Sequence, residues 1–208
     1  MDLGLKGKKV IMNGGAHGLG LASLKHFAAE GADVAFFSRK QDKIDAARDA
    51  IAKAGNGKVF AEVLDMAGNH EGYKAWLAKA ADELGGCDIF VHMASSSGTG
   101  GTGDWQAGLD MDIMGAALAV EVLTPALAES GTGSIVFMSS TAALETFIAP
   151  QPFNALKAAL DTLGGCLPMG AQVLVLSMPR VDFLYEAGNA KSAFTCNAVW
   201  SLAGVCSI

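Results

Sequence analysis

Short apolar runs alternate along the chain with longer stretches in which apolar and polar positions interleave at helical spacing. The runs predict strands at Lys9–Met12, Asp33–Phe37, Val59–Leu64, Asp88–Met93, Ser134–Met138 and Gln172–Ser177. Between them, stretches near residues 18–30, 41–54, 69–84, 107–129 and 152–166 predict helices long enough to cross a sheet face and return. The runs DIFVHM, SIVFM and QVLVLSM are almost wholly apolar, which implies burial on both faces and hence a parallel sheet between helix layers. This rhythm predicts an α/β fold, a Rossmann-type doubly wound parallel sheet of six strands, in one domain spanning residues 1–208. No internal repeat is visible. The Ser/Gly/Thr-rich segment SSSGTGGTG, residues 95–103, follows the fourth strand and so falls at the carboxyl rim, where ligands bind in such folds.

Composition narrows the partners. The chain is 51% hydrophobic and 17% charged, with 26 glycines and a net charge of −6. No Lys/Arg cluster marks a phosphate-tracking surface, so nucleic acid is not an expected partner. Cys87, Cys166, Cys196 and Cys206 show no paired spacing, which suits a reducing cytoplasm and argues against a disulfide framework or a metal site. His70-Glu71 lacks the second His of a zinc helix and reads as a solvated pair. No apolar run reaches the ~18 residues of a membrane span, and the N-terminus moves straight into a strand with no separable signal segment.

The first strand runs into NGGAHGLG, placing Gly14, Gly18 and Gly20 where a helix opens. Glycines there let the backbone turn tightly and approach a pyrophosphate, whose charge the helix N-terminal N–H groups hold. A glycine cluster alone also closes ordinary turns; after strand one and before an amphipathic helix it predicts a dinucleotide site. An NAD site wants an acid about 20 residues on, at the end of strand two. That end carries Ser38 and Arg39, while Asp33, the nearest acid, starts the strand. A hydroxyl and a guanidinium suit a 2′-phosphate, so NADP(H) is preferred and NAD(H) possible; the alternative is that Arg39 and Lys40 are solvated loop charges. His17 either assists the 2′-phosphate or is a solvated loop residue.

These motifs together resemble the short-chain dehydrogenase/reductase family, in its acyl-carrier-protein-reductase-like branch, over about residues 6–178. NGGAHGLG is similar to the family's T-G-x-x-x-G-x-G, with Asn13 in place of Thr, and Leu19 lies within it. VLDMA resembles the ending of strand three, whose Asp, here Asp65 followed by Met66, meets the adenine. HMAS stands where the family has N-N-A-G, so Ala94 matches and His92 does not. WQAGLDMDIMGA resembles the helix bearing the family's active-site Asn, with Asp112 at that position. GSIVFMSSTAAL resembles the strand carrying the catalytic Ser, here Ser140. Thirteen residues on, the family's catalytic Tyr position is Phe153, and four later its Lys is Lys157.

The resemblance implies an oxidoreductase that moves a hydride between NADP(H) and a small-molecule carbonyl or alcohol, as a homodimer or homotetramer. In it, Tyr passes the proton, Ser holds the substrate oxygen, Lys acidifies the Tyr and binds the nicotinamide ribose, and Asn anchors a relay water. The i, i+4 spacing puts residues 153 and 157 on one helix face. Phe153 keeps the ring and loses the proton donor, so ordinary turnover should fall by about 10²–10⁴-fold. Activity is thus impaired or rerouted; the alternative is a non-catalytic NADP(H)-binding sensor or assembly protein. Asp112 is open to two readings, a relay acid or a counter-ion to Lys157. His92 is expected to serve packing and turn bonding, Tyr73 to lie on a peripheral helix, and Tyr185 to sit in the tail. Residues 179–208 diverge from the family's substrate-binding region, so a seventh strand is not expected, and pairing of copies would fall to the helices at 107–129 and 152–166.

Overall fold

The computed structural model describes residues 3–96, 104–144 and 151–167, and the backbone of 172–176. Its elements are β1 (Lys9–Asn13), α1 (Gly18–Ala29), β2 (Asp33–Ser38), α2 (Gln41–Ala52), β3 (Val59–Val63), α3 (His70–Leu84) and β4 (Ile89–His92). A helical run follows, with α4 (Trp105–Gly108), a π-helical segment (Leu109–Met114) and α5 (Gly115–Glu129) end to end. Then come β5 (Ser134–Met138), a 3-10 turn (Thr141–Ala143), α6 (Gln151–Gly165) and β6 (Gln172–Leu176). All strands pair in parallel, in the order β3-β2-β1-β4-β5-β6, so the five-strand 3-2-1-4-5 core carries β6 beside β5. Tyr185, Cys196 and Cys206, the tail from residue 179 and most of the segment 95–103 lie outside the described residues.

The apolar runs become strands because both sheet faces are covered. On one face Ile11, Ala35, Phe37, Phe90, Ile135 and Phe137 pack with Tyr73, Trp76 and Leu77 of α3 and with Ala116, Ala119 and Leu123 of α5. On the other, Val10, Met12, Val34, Phe36 and Val91 pack with Leu24 and Ala28 of α1 and with Ile44, Ala47 and Ile51 of α2. Period-2 alternation within each strand feeds the two cores in turn. Helix boundaries follow local chemistry: Asn69 caps α3 by accepting from the Gly72 N–H, and Gly85 ends it at φ 74°. Asp104 caps α4 by accepting from the N–H groups of Gln106 and Ala107.

Most element ends shift from the pattern by a residue or two, and two of these differences stand out. β4 begins at Ile89, yet the Asp88 backbone still bonds both neighbours, to the Lys9 carbonyl oxygen at 2.9 Å and from the Ser134 N–H at 2.8 Å. Its carboxylate accepts from the Lys9 N–H at 2.9 Å and pairs with Lys8 at 3.2 Å. The helix expected from residue 107 starts at Trp105 and widens into a π-helical segment that apolar spacing did not reveal. The run Trp105–Glu129, 25 residues at mean hydropathy 1.5, is long and apolar enough by length and composition to cross a membrane. No single apolar run had suggested that, because Asp110, Asp112 and Glu121 interrupt it. Here its Leu118, Leu123 and Leu127 enter the core, and its two aspartates are buried with partners.

Candidate active site

Because the strands are parallel, their carboxyl ends share one rim, and the segments that carry site chemistry leave from it. Gly14 follows β1, Ser38 ends β2, Ala94 follows β4, and Ser140 follows β5. β1 and β4 are neighbours whose following helices cover opposite faces, so the rim opens between them.

The glycines there have distinct jobs. Gly14 has φ 76°, and a Cβ on it would lie 2.8 Å from the Ala94 nitrogen, so the turn after β1 passes against the turn after β4 only without a side chain. A Cβ on Gly20 would lie 2.1 Å from the Gly14 carbonyl oxygen, which seats the first turn of α1 on the loop. Gly18 also has positive φ, at 54°, yet faces open space. His17 caps α1 with no side-chain hydrogen bond, and His17, Gly18 and Leu19 are exposed. First-turn N–H groups have no intrahelical acceptor, so the opening of α1 presents donors to solvent at an exposed corner where Gly18 carries no side chain. That cradle fits a dinucleotide pyrophosphate.

Of the remaining residues expected around a dinucleotide, Arg39 is exposed beside half-buried Ser38, where a 2′-phosphate could be met. Asp65 is exposed, accepting from the Ala67 N–H at 3.2 Å. Met66, next to Asp65, turns inward. Its side chain is buried, and its Cε would lie 2.5 Å from a Cβ on Gly115, so it packs against α5 as part of the core.

The residues expected to carry acid–base chemistry converge on Lys157. Its ammonium lies 3.0 Å from Asp112 Oδ1, donates to the Met138 carbonyl oxygen at 2.8 Å, and sits 5.6 Å from the centre of the Phe153 ring. Both charged side chains are almost wholly enclosed, at 4% and 1% exposure. The other carboxylate oxygen, Oδ2, accepts from the Ser96 N–H at 3.1 Å and from the Ser96 hydroxyl at 3.0 Å. Burial pushes the Asp112 carboxyl up, but the Lys157 ammonium, the Ser95 hydroxyl and the Ser96 N–H outweigh it and hold the carboxyl below its ordinary range. Of the two readings of Asp112, this geometry carries the counter-ion. Ser140 is half-buried, and its hydroxyl accepts from the Ala142 N–H at 3.1 Å as the cap of the 3-10 turn. That turn packs against α6, the helix bearing Phe153 and Lys157.

Sequence reasoning missed the support behind this cluster. Strand register sets Asn13 beside His92. Asn13 Oδ1 accepts from the N–H groups of Met93 at 2.8 Å and Ala94 at 2.9 Å, which orients its amide. Its Nδ2 therefore faces the Tyr73 hydroxyl at 2.9 Å and His92 Nδ1 at 2.8 Å as a donor. The imidazole must then carry its proton on Nε2, which donates to the Asp112 carbonyl oxygen at 3.0 Å. Burial, with help from Lys157, lowers His92 to about 3, so it stays neutral. Tyr73, on the outer helix α3 as expected, is fully buried on that helix's inner face and donates to the Gly115 carbonyl oxygen at 2.9 Å. Asn13, His92 and Tyr73 thus brace both ends of the turn that presents Asp112. The sequence signal was there as two departures, Asn13 and His92, without the third partner that relates them.

The sheet order and the glycine corner define a Rossmann-like α/β protein. The chain belongs to the short-chain dehydrogenase family, whose model, described as short chain dehydrogenase, matches residues 8–171. It is 31% identical over 204 residues to dehydrogenase/reductase SDR family member 4 of Oryctolagus cuniculus, covering 94% of this chain and 75% of that protein. The Bos taurus counterpart is 31% identical over 162 residues, 75% of this chain, and the match spans only 57% of that protein. Among solved structures, an L-sorbose reductase from Gluconobacter frateurii complexed with NADPH and L-sorbose superposes with TM-score 0.68 at 26% identity, covering 79% of this chain and 64% of that one. A short-chain dehydrogenase/reductase from Serratia marcescens gives 0.69 at 29%, covering 77% and 66%.

Proposed function

We propose that this chain is an NADP(H)-binding short-chain oxidoreductase whose hydride transfer to or from a small carbonyl or alcohol is impaired at the proton-transfer step. The observation that carries the reading is the Lys157 ammonium against a phenyl ring, 5.6 Å from its centre, where a hydroxyl would be needed to pass the proton. Family membership and the NADPH complex of the Gluconobacter frateurii relative support the cofactor, as do Ser38 and exposed Arg39 at the end of β2. When bound, the reduced nicotinamide supplies the hydride. The chain's own residues orient the dinucleotide at Gly14, Gly18 and Gly20, with Leu19, Asp65 and Ala94 bordering it. Ser140 holds the substrate oxygen. No described hydroxyl stands in for the missing phenol: Tyr73 is spent on Gly115, and Ser140 is too weak an acid to replace it unaided.

A second reading is binding without turnover, as a sensor or assembly protein. It is favoured by the closed Lys157–Asp112 pair, which leaves the ammonium already neutralised. One experiment serves both: NADPH affinity and turnover on a carbonyl panel, for the protein and for Phe153→Tyr. A rise in turnover of 10²-fold or more, in Phe153→Tyr alone or with Asp112→Asn added, supports an impaired reductase, whereas tight binding without gain in either supports the second reading. Failure to bind any dinucleotide overturns both. The proposal extends to a homodimer or homotetramer in the cytoplasm, free of nucleic acid and membrane; sedimentation and fractionation of the native protein test those points.

A further inference from the structure

We propose that Asp112 is a second disabling substitution coupled to Phe153: it cancels the charge of Lys157, so a phenol restored at position 153 stays unacidified until the carboxylate is also removed. The inference rests on reading Phe153 as the proton-transfer position and deepens it. An isolated buried ammonium about 6 Å from a phenol lowers the phenol pKa on the order of two units at an effective dielectric near 20. The ring that would carry that hydroxyl has its centre 5.6 Å from the Lys157 nitrogen. A carboxylate 3.0 Å from the same nitrogen gives a net-neutral pair, and most of the acidifying field is lost.

Asp112 cannot swing away to relieve this. Its Oδ2 is held by the N–H and hydroxyl of Ser96, and the His92 ring holds its own backbone carbonyl. Among the described residues, other charges near α6 do not take over its part. Asp110 faces His70 and Gln106, His92 is buried and neutral, and Asp161 lies one turn further along α6. β5, β6, α4 and the 3-10 turn, which also pack on α6, contribute no titratable side chain. An Asn at 112 would remove the negative charge and keep one acceptor oxygen, for the ammonium or for the serine donors, its amide nitrogen replacing the other acceptor with a donor.

The test is a spectrophotometric titration of the phenol, which needs neither cofactor nor turnover. The difference spectrum of Phe153→Tyr against the parent isolates the new side chain, and buried Tyr73, pushed well above the usual phenol range, stays silent. The expected result is a phenol near its ordinary pKa of about 10 in Phe153→Tyr, falling by one unit or more in Phe153→Tyr/Asp112→Asn. With NADPH and a carbonyl panel, the double variant should then exceed the product of the two single effects by about tenfold or more. A phenol already acidified with Asp112 present, or one equally unshifted in both backgrounds, overturns the proposal. If Asp112→Asn does not fold, Asp112→Ser makes the same comparison with a short hydroxyl acceptor. Because the titration is independent of dinucleotide binding, a protein that fails to bind NADPH overturns the proposed function while this inference is still decided.

Discussion

Replacing Lys157 by Met tests whether the pair at the centre of the site is buried and structural. The side chains are similar in length, so the change removes a charge and little volume. Asp112 would be left at 1% exposure with its serine donors and no cation. Removing one partner of a buried pair costs about 3–5 kcal/mol, because the surviving charge keeps its desolvation penalty. In a chain of this size that lowers Tm by roughly 6–20 °C. The pH dependence supplies the sign. In the parent, the Asp112 carboxyl is held below its ordinary range, so its contribution is present above the unfolded value of about 3.9 and is lost as pH falls through the lower folded one. In Lys157→Met the main depressing charge is gone and burial raises the carboxyl, so the penalty grows as pH rises above about 4. The gap between the two proteins should thus be widest near neutrality and narrow toward pH 4. Urea denaturation of both at several pH values measures it. A gap below about 1 kcal/mol at pH 7, or one that does not change with pH, would mean that water reaches the pair and the argument is wrong.

His92→Asn should flatten the acid limb of stability. With His92 lowered to about 3 when folded and near 6.5 when unfolded, the unfolded chain binds the extra proton between those values. The parent therefore loses up to about 1.4 kcal/mol per pH unit as pH falls through that window, and an unchanged slope in the variant, by urea titration, would count against a neutral buried imidazole. Gly20→Ala forces a methyl to 2.1 Å from the Gly14 carbonyl oxygen, so it should cost about 1–3 kcal/mol and weaken NADPH binding at least tenfold, read by calorimetry. Arg39→Ala should weaken NADPH roughly tenfold to a hundredfold while leaving NADH within a few-fold; equal losses for both would remove the 2′-phosphate assignment.

The sequence by itself determined the architecture. Near-continuous apolar strands such as SIVFM are stable only between two helix layers, and the β–α alternation then leaves a parallel sheet with its glycine turn at the carboxyl rim. It also located the departure on which the proposed impairment rests, since the count from Ser140 to Phe153 and Lys157 is a matter of register along one segment. What it left open was how Asp112 is used, because position 112 and position 157 are joined only by folding. Tertiary structure brought the two charges to 3.0 Å and enclosed them, which turns an ionisable residue of uncertain role into a counter-ion. It also buried the Met66 side chain against α5 and drew Asn13, His92 and Tyr73 into one hydrogen-bonded brace. Those partners come from β1, β4 and α3, so no local pattern could relate them: the reach of a hydrogen bond is set by strand register and helix packing, which appear only when the sheet is assembled.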